Sequence, residues 1–358
     1  MKSRFPIDWW LLIPVFILVG ISLTTLFSVN ITYFKTQLIS FVIALLVFFF
    51  FARINIDFLK QIKTPIYISS LVLLSIIFVI GIESRGAIRW IDIGGVRLQF
   101  SEVLKPFLSV AFAVFLADSR FSPKKTFFLS ILLLLPIVFL IYLQPDLGSA
   151  LIYVFVAFFI FLVNGYPLRW FGLVFLPFVL ISPLIWTMLH EYQRQRLLTF
   201  LHPAVDPLGT SYNSIQAVIA IGSGTFIGQG WFQGTQSSLR FLPERHTDFI
   251  FATLAEGIGF VGATLVIVTF AFLCYRVYLI FKNADDRFTK TLAGCCFAFF
   301  LIQGFVNIGM NVGYLPIVGV TLPFVSFGGN SLISNFIFLG ILSSLSTSQK
   351  NKHVLEIK

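Results

Sequence analysis

Charge is what this chain has least of. Only 11% of its 358 residues are Asp, Glu, Lys or Arg, where a soluble domain carries about 25%. That scarcity excludes a soluble globular fold, because too little of the surface could be wetted. Hydrophobic residues make up 58% of the chain and 45 are Phe, so the sequence reads as a polytopic membrane protein. Cysteine is scarce too. Cys274, Cys295 and Cys296 all fall in apolar stretches, spaced for neither a metal site nor a disulfide framework, and read as small buried hydrophobes. His190, His202, His246 and His353 are scattered without zinc-ligand spacing. A Walker-type loop is missing, since IGSGTFIGQG has no lysine, and no nucleophile elbow accompanies a Ser–His–acid set. A net charge of +10 would suit nucleic acid, but its distribution speaks for membrane orientation and against a nucleic-acid partner.

Apolar runs are abundant. Ten approach the length that crosses about 30 Å of hydrocarbon: residues 9–28, 34–52, 65–82, 102–117, 126–143, 148–164, 170–189, 248–281, 289–312 and 328–346. The sequence therefore predicts an all-α integral membrane protein of about ten transmembrane helices, one polytopic domain over residues 1–358 without a strong internal repeat. Lys2 and Arg4 precede the first run, which is too long for a signal-peptide core and reads as a retained span. The run 248–281 is long enough for one tilted helix that projects from the membrane. Gln144-Pro145-Asp146 separates two runs and cannot face lipid, so a tight turn is predicted at a membrane face.

Placing the N-terminus inside collects most of the 25 Lys and Arg, among them Lys60, Lys63, Arg120, Lys124, Lys125 and Arg287, in short cytoplasmic segments. Both termini are then cytoplasmic, and residues 190–247 form a long extracytoplasmic loop between the seventh and eighth spans. A structureless loop of that length is unusual. Its Gly- and Ser-rich stretches and apolar patch from Ile215 to Ile221 predict a segment folded over the outer face. Residues 83–101 alternate apolar and polar, which suits a short interfacial element.

Four polar clusters gather on that outer face. In LPERHTDFIFATLAEGIG, Leu242 to Gly259, Asp248 stands where polar sequence gives way to apolar. Thr247 fits an N-cap and Asp248 the first helical turn. Asp248 is then either a capping carboxylate, stabilised by roughly 0.3–1 kcal/mol at the positive helix end, or an acid at the rim of a wet cavity. Glu256 is deep for an ionisable residue, which suits a side chain facing a cavity or a partner. Ser101 fits the N-cap of the fourth span, followed by Glu102. Lys105 adds its charge to that helix end and welcomes a phosphate, unless it is spent on an ion pair with Glu102. Asp146 either caps the sixth span or joins a binding surface. Gln193, Arg194 and Arg196 follow the seventh span, where arginines among amides clamp an anionic head group or snorkel to lipid phosphate. Acids, amides and cations on one face favour chemistry on a phosphate-bearing lipid.

Longer strings resemble a known family. GAIRWIDIG with LQFSEVLK, QPDLGSA, EYQRQRLLTFLHPAVDPLGTSYNSIQA, GQGWFQGTQSSLRFLPERHTDFIFATLAE and NVGYLPIVGVTLPFVSFGGNS are similar to the SEDS proteins (shape, elongation, division and sporulation) over roughly residues 10 to 346. GQGWFQGTQSSLRFLPERHTDFIFA resembles the elongation branch rather than the division branch. The resemblance implies a peptidoglycan glycosyltransferase that polymerises lipid II at the outer face of the bacterial cytoplasmic membrane. It also implies a class B penicillin-binding protein and other elongation-machinery membrane proteins as partners. The family's essential aspartate falls on Asp248, its glutamate and lysine on Glu102 and Lys105, its arginine before the tryptophan on Arg89, and its glutamine–arginine cluster on Gln193 and Arg196. Two departures stand out: Phe100 where relatives have proline, and Gly257 after Glu256 where relatives have two glutamates. Glu256 is therefore expected to be structural or supporting.

A sugar 4-hydroxyl is a poor nucleophile and needs a carboxylate base within reach. Asp248 is the expected base, with burial raising its proton affinity. Lys105, Arg196 and Arg89 are expected to stabilise the departing undecaprenyl pyrophosphate, with Glu102, Asp146 and Gln193 among the substrate contacts. A divalent cation, Mg²⁺ or Mn²⁺, is a further candidate, with no organic cofactor. Two other classes compete. A lipid II flippase would use polar groups near mid-membrane, such as Gln303, Asn307 and Asn311, and a non-catalytic scaffold would only recruit the elongation machinery.

Overall fold

A computed structural model describes residues 8–356 apart from 85, 86, 95, 119, 190–193, 196, 197, 199 and 201–210. In chain order its elements are α1 (Trp9–Val29), α2 (Ile31–Phe51), α3 (Ile56–Gln61), α4 (Lys63–Ile80), β1 (Ile82–Ser84), β2 (Ala87–Ile93), β3 (Val96–Leu98), α5 (Phe100–Val103), α6 (Lys105–Ala117), α7 (Pro123–Leu143), α8 (Leu147–Val163) and α9 (Leu168–Met188). After these come α10 (Tyr212–Ser223), α11 (Thr235–Ser238), α12 (Ile250–Lys282), α13 (Arg287–Asn311) and α14 (Gly329–Glu356). Among the described residues seven helices are long and apolar enough to cross a membrane, and the shorter apolar helices Lys105–Ala117, Leu147–Val163 and Leu168–Leu184 fall on the remaining apolar runs. The protein is a multi-pass membrane protein. Val79, Leu132, Phe139 and Leu180 are exposed, as a lipid-facing surface requires. The stretch of α14 up to Ser346 is the most enclosed of the long helices, with Phe336 and Phe338 buried in the core.

The all-α expectation needs one addition. The strands β1, β2 and β3 form an antiparallel sheet of that order, with Ile82 opposite Trp90 and Asp92 opposite Arg97. Alternating apolar and polar residues carry the two-residue period of a strand, and this element carries Arg89. The turn expected at Gln144-Pro145-Asp146 is present between α7 and α8.

The run after residue 248 is not one continuous helix. At Gly259, inside α12, the backbone turns to φ 66°, ψ −166°, which glycine adopts without a Cβ penalty. Breaking a helix in an apolar medium strands amide and carbonyl groups unless protein supplies partners. Residues 225–230 supply them. The amides of Gln229 and Gly230 donate to the Glu256 and Gly257 carbonyls (2.9 and 3.0 Å), while those of Phe260 and Val261 donate to Thr225 and Phe226 (3.0 and 3.2 Å). A Cβ at Gly228 would stand 2.2 Å from the Gly257 carbonyl oxygen. The glycine-rich string IGSGTFIGQG is thus a backbone splint for a broken helix. Within the same predicted loop, α10 packs Ala217 and Ala220 against Phe249 and Ala252.

Candidate active site

Asp248 lies before α12 rather than in its first turn. Residues 243–249 form consecutive turns, and Phe249 occupies the cap position without a side-chain cap bond. The Thr247 hydroxyl turns back to the Glu244 carbonyl and carboxylate (3.3 and 3.1 Å), so it caps nothing. The cap comes from another helix: Asn311 Oδ1, at the end of α13, accepts the Ala252 N–H at 3.0 Å. An orphan amide at a helix start must find such an acceptor.

The same asparagine fixes Asp248. Asn311 Nδ2 donates to the Asp248 carbonyl at 2.9 Å, and Asn307 Nδ2 donates to that carbonyl at 3.0 Å and to the Val320 carbonyl at 2.7 Å. Both asparagines are fully buried. On the other flank of the turn, Ser326 Oγ donates to the Thr247 carbonyl (2.8 Å) and accepts the Leu322 N–H (2.8 Å). Gln37 Nε2, from α2, donates to the Ser326 carbonyl (3.1 Å). The Phe327 amide donates to the His246 carbonyl (2.9 Å), and the His246 ring stacks on Tyr33 with centroids 4.1 Å apart. Asp248 Oδ2 lies beside Gly319, where φ is +71° and a Cβ would stand 3.6 Å from that oxygen. A half-buried acid is therefore carried on a turn braced by α2, α13 and residues 319–327.

A second cluster forms around Asp146. Its Oδ1 accepts the Ser149 N–H at 3.1 Å, which caps α8. Its Oδ2 accepts from Gln99 Nε2 (2.9 Å), Ser149 Oγ (2.9 Å) and Ser101 Oγ (3.4 Å), and Arg89 Nη1 stands 3.8 Å from Oδ1. Ser101 is not the N-cap expected of it. Gln99 holds that position and Ser101 lies inside α5, its hydroxyl drawn to Asp146. Lys105 is not an open cation either. Its Nζ is 2.6 Å from Glu102 Oε1, and the residue is 1% exposed. Burying an ammonium costs several kcal/mol unless a counter-charge accompanies it, and Glu102 is that charge. Glu102 Oε2 remains buried without a hydrogen bond. The accessible cation of this cluster is Arg89, with its side chain 29% exposed.

Both clusters border one segment. A Cβ at Gly148, beside Asp146, would meet the Val318 carbonyl oxygen at 2.3 Å, while Gly319 faces Asp248 and Asn307 holds Val320. The α8 start that follows Asp146 and the Asp248 carboxylate thus lie against neighbouring residues of one segment, Val318 and Gly319. Gln193 and Arg196 lie outside the described residues. Glu256 belongs elsewhere. Its carboxylate accepts the N–H groups of Gln236 (2.8 Å) and Ser237 (2.9 Å) and the Ser237 hydroxyl, so it pins α11 to α12, a structural duty. Among the described residues no three His, Cys, Asp or Glu side chains cluster as metal ligands. Asp146 is committed to its donors and Glu102 to Lys105. Asp146 and Glu102 are therefore not arranged to hold a divalent ion together.

Sequence reasoning did not assign Asn307 and Asn311 to this site. The available signal was two amides one turn apart in an apolar run, which had suggested transport. Ser326 and Gln37 gave no signal, since their partners are distant in sequence.

The fold is that of a multi-pass helical membrane protein with buried polar clusters at Asp146 and at the Asp248 turn. Residues 5–351 match the FtsW/RodA/SpoVE model of cell cycle proteins, and the chain belongs to that family, the one its motifs resemble. It is 41% identical over 288 residues to the peptidoglycan glycosyltransferase MrdB of Escherichia coli K12, covering 80% of this chain and 78% of that one. It is 37% identical over 296 residues to a probable peptidoglycan glycosyltransferase FtsW of Idiomarina loihiensis, covering 81% and 72%. Among solved structures it is similar to a chain of a peptidoglycan synthase complex that coordinates polymerization and crosslinking, with TM-score 0.82, 29% identity and coverage of 97% and 99%. It is also similar to the rod shape determining protein RodA of Thermus thermophilus, with TM-score 0.72, 26% identity and coverage of 96% and 98%.

Proposed function

We propose that this chain is a peptidoglycan glycosyltransferase that polymerises lipid II during cell elongation, with Asp248 as general base. The observation that carries the assignment is the anchoring of the Asp248 carbonyl by Asn307 and Asn311. That arrangement fixes the main chain of the residue, whose carboxylate lies beside Gly319. The acceptor's sugar 4-hydroxyl attacks the donor's anomeric carbon. The new C–O bond forms as the bond to the lipid diphosphate breaks, and the hydroxyl proton passes to Asp248. General-base assistance of this kind contributes about 10²–10⁴-fold. Charge developing on the departing diphosphate is met by Arg89, and by Arg196 with Gln193 where the chain continues from α9. Glu102 and Lys105 act as a buried pair that shapes this wall, and Asp146 orders the side chains around Arg89.

The active face is extracytoplasmic and both termini are cytoplasmic, in the cytoplasmic membrane of a bacterium; the Lys/Arg distribution supports this orientation. A class B penicillin-binding protein is the proposed partner, alongside other elongation-machinery membrane proteins, supported by likeness to a complex that polymerises and crosslinks. Of the three amides behind the flippase reading, Asn307 and Asn311 are spent on the Asp248 turn, which leaves Gln303, buried without a hydrogen-bond partner. The test is purified full-length protein in detergent, supplied with lipid II, with and without Mg²⁺ or Mn²⁺. Glycan chains are expected where there is no bilayer to flip across. Absence of polymer there, with lipid II translocation in vesicles, would overturn the assignment.

A further inference from the structure

We infer that Gln37, in the span formed by α2, is a positioning residue for polymerisation, acting on Asp248 through the main chain of residues 326–328. The inference rests on the reading of Asp248 as general base and adds to it a residue from a separate helix. The apolar sequence of α2, ITYFKTQLISFVIALLVFFFF, holds a single side-chain amide. Leu38 and Ile39 beside it are exposed, whereas Gln37 is 0% exposed. An amide buried in a membrane span must find polar partners.

Both ends of this amide are spent on one short stretch of main chain. Gln37 Nε2 donates to the Ser326 carbonyl (3.1 Å), and Gln37 Oε1 accepts the Gly328 N–H (3.2 Å). Phe327, between them, donates its N–H to the His246 carbonyl (2.9 Å), and Ser326 Oγ donates to the Thr247 carbonyl (2.8 Å). One side chain thus grips both flanks of the link to residues 246 and 247, immediately before Asp248.

The gripped stretch cannot hold itself. Residues 312–328 form neither helix nor strand, and Phe324 has a left-handed backbone, φ 67°, which a bulky residue seldom adopts. Irregular backbone at membrane depth persists only where protein satisfies its polar groups. Ser22 of α1 supplies one such bond, its Oγ donating to the Val325 carbonyl (2.6 Å), and Gln37 supplies two. Tyr33, one helical turn earlier and on the same face as Gln37, stacks on His246 and meets the Phe327 ring at 5.1 Å. The α2 face therefore reaches the catalytic turn from the flank opposite Asn307 and Asn311, and its hold on the base runs through Ser326 and Phe327.

The test is a double-mutant cycle on purified full-length protein in detergent. Glycan elongation from lipid II is measured for the parent, Gln37→Met, Asp248→Asn and the double variant. Gln37→Met keeps the side-chain length and removes the amide. It is expected to lower kcat about tenfold with KM nearly unchanged. In the Asp248→Asn background it should leave the residual rate as it is, because a residue that acts through Asp248 has nothing left to position. Hydrogen exchange should quicken in Gln37→Met over residues 244–250 and 322–328 and stay unchanged over residues 145–152. Should Gln37→Met fail to fold, Gln37→Asn is read in the same cycle; it keeps the amide one methylene short and should lose a smaller factor. Equal fold-losses in the two backgrounds, or parental kcat in the folded variant, would overturn the inference while the proposed function stands. If the parent makes no glycan, the proposed function falls and with it the role in polymerisation; quickened exchange confined to residues 244–250 and 322–328 would still establish the grip on the turn.

Discussion

Asp146 and Asp248 both precede a helix at a turn, and residues 318–319 run past both turns, yet the hydrogen bonds that brace the two differ in kind. Asp146 is fixed through its carboxylate, which collects Ser149, Gln99 and Ser101 as donors. Asp248 is fixed through its carbonyl, gripped by two buried asparagines. A carboxylate saturated with donors is architectural. The asparagines hold the Asp248 main chain whatever group ends its side chain.

The largest effect that would sharpen the contrast is at Asp146. Asp146→Ala removes a helix cap and strands Gln99 and Ser101, each buried polar loss costing about 1–3 kcal/mol. A fall in thermal midpoint of several degrees is expected by scanning fluorimetry in detergent, and an unchanged midpoint would break the comparison. Asp248→Glu should do the reverse. Moving the carboxylate by one methylene is expected to cut polymerisation about 100-fold, the usual cost of a 1 Å misplacement, with the midpoint retained. Asn311→Leu comes next, because it removes both the Ala252 cap and one grip on Asp248. A rate loss of about tenfold in kcat, with KM nearly unchanged, separates this positioning role from substrate binding. Gly319→Ala is smaller: a left-handed backbone with a Cβ costs about 1–2 kcal/mol, and the added methyl crowds Asp248 Oδ2, so activity should drop severalfold.

The smallest effect concerns a third aspartate with no place in the site. Asp118, at the end of α6, bonds Arg120 (2.9 and 2.5 Å) and faces Lys63 (3.5 Å). The Arg120 hydrogen bonds hold its carboxyl well below the usual carboxylate range. Its folded-state pKa is depressed, so its stabilisation is present above the unfolded value of about 4 and is lost as pH falls below that. Asp118→Asn should slightly flatten the acid limb of a melting-point-against-pH curve and leave polymerisation unchanged.

Much of this was legible in sequence because membrane spans are written locally. Apolar runs of the right length predicted the helices, and Gln144-Pro145-Asp146 predicted the turn, since no such triplet can face hydrocarbon. The missing partner glutamate at Gly257 pointed to a structural Glu256. What sequence hid was long-range hydrogen bonding. The cap of α12 comes from Asn311, 59 residues beyond the amide it accepts, so Thr247, a good local cap, goes unused. The Gly259 break was hidden because its compensating partners lie about thirty residues earlier, at residues 225–230. Lys105 could be read either way from spacing, and burial resolves it into an ion pair with Glu102.

The most direct measurement is glycan elongation from lipid II by the purified Asp248→Asn protein beside its parent in detergent, with thermal midpoints recorded on the same samples. The account predicts polymer reduced by about 100-fold or more at an unchanged midpoint, because the Asn307 and Asn311 grip on the main chain survives the substitution. Polymer at near the parental rate from a folded Asp248→Asn protein would contradict it.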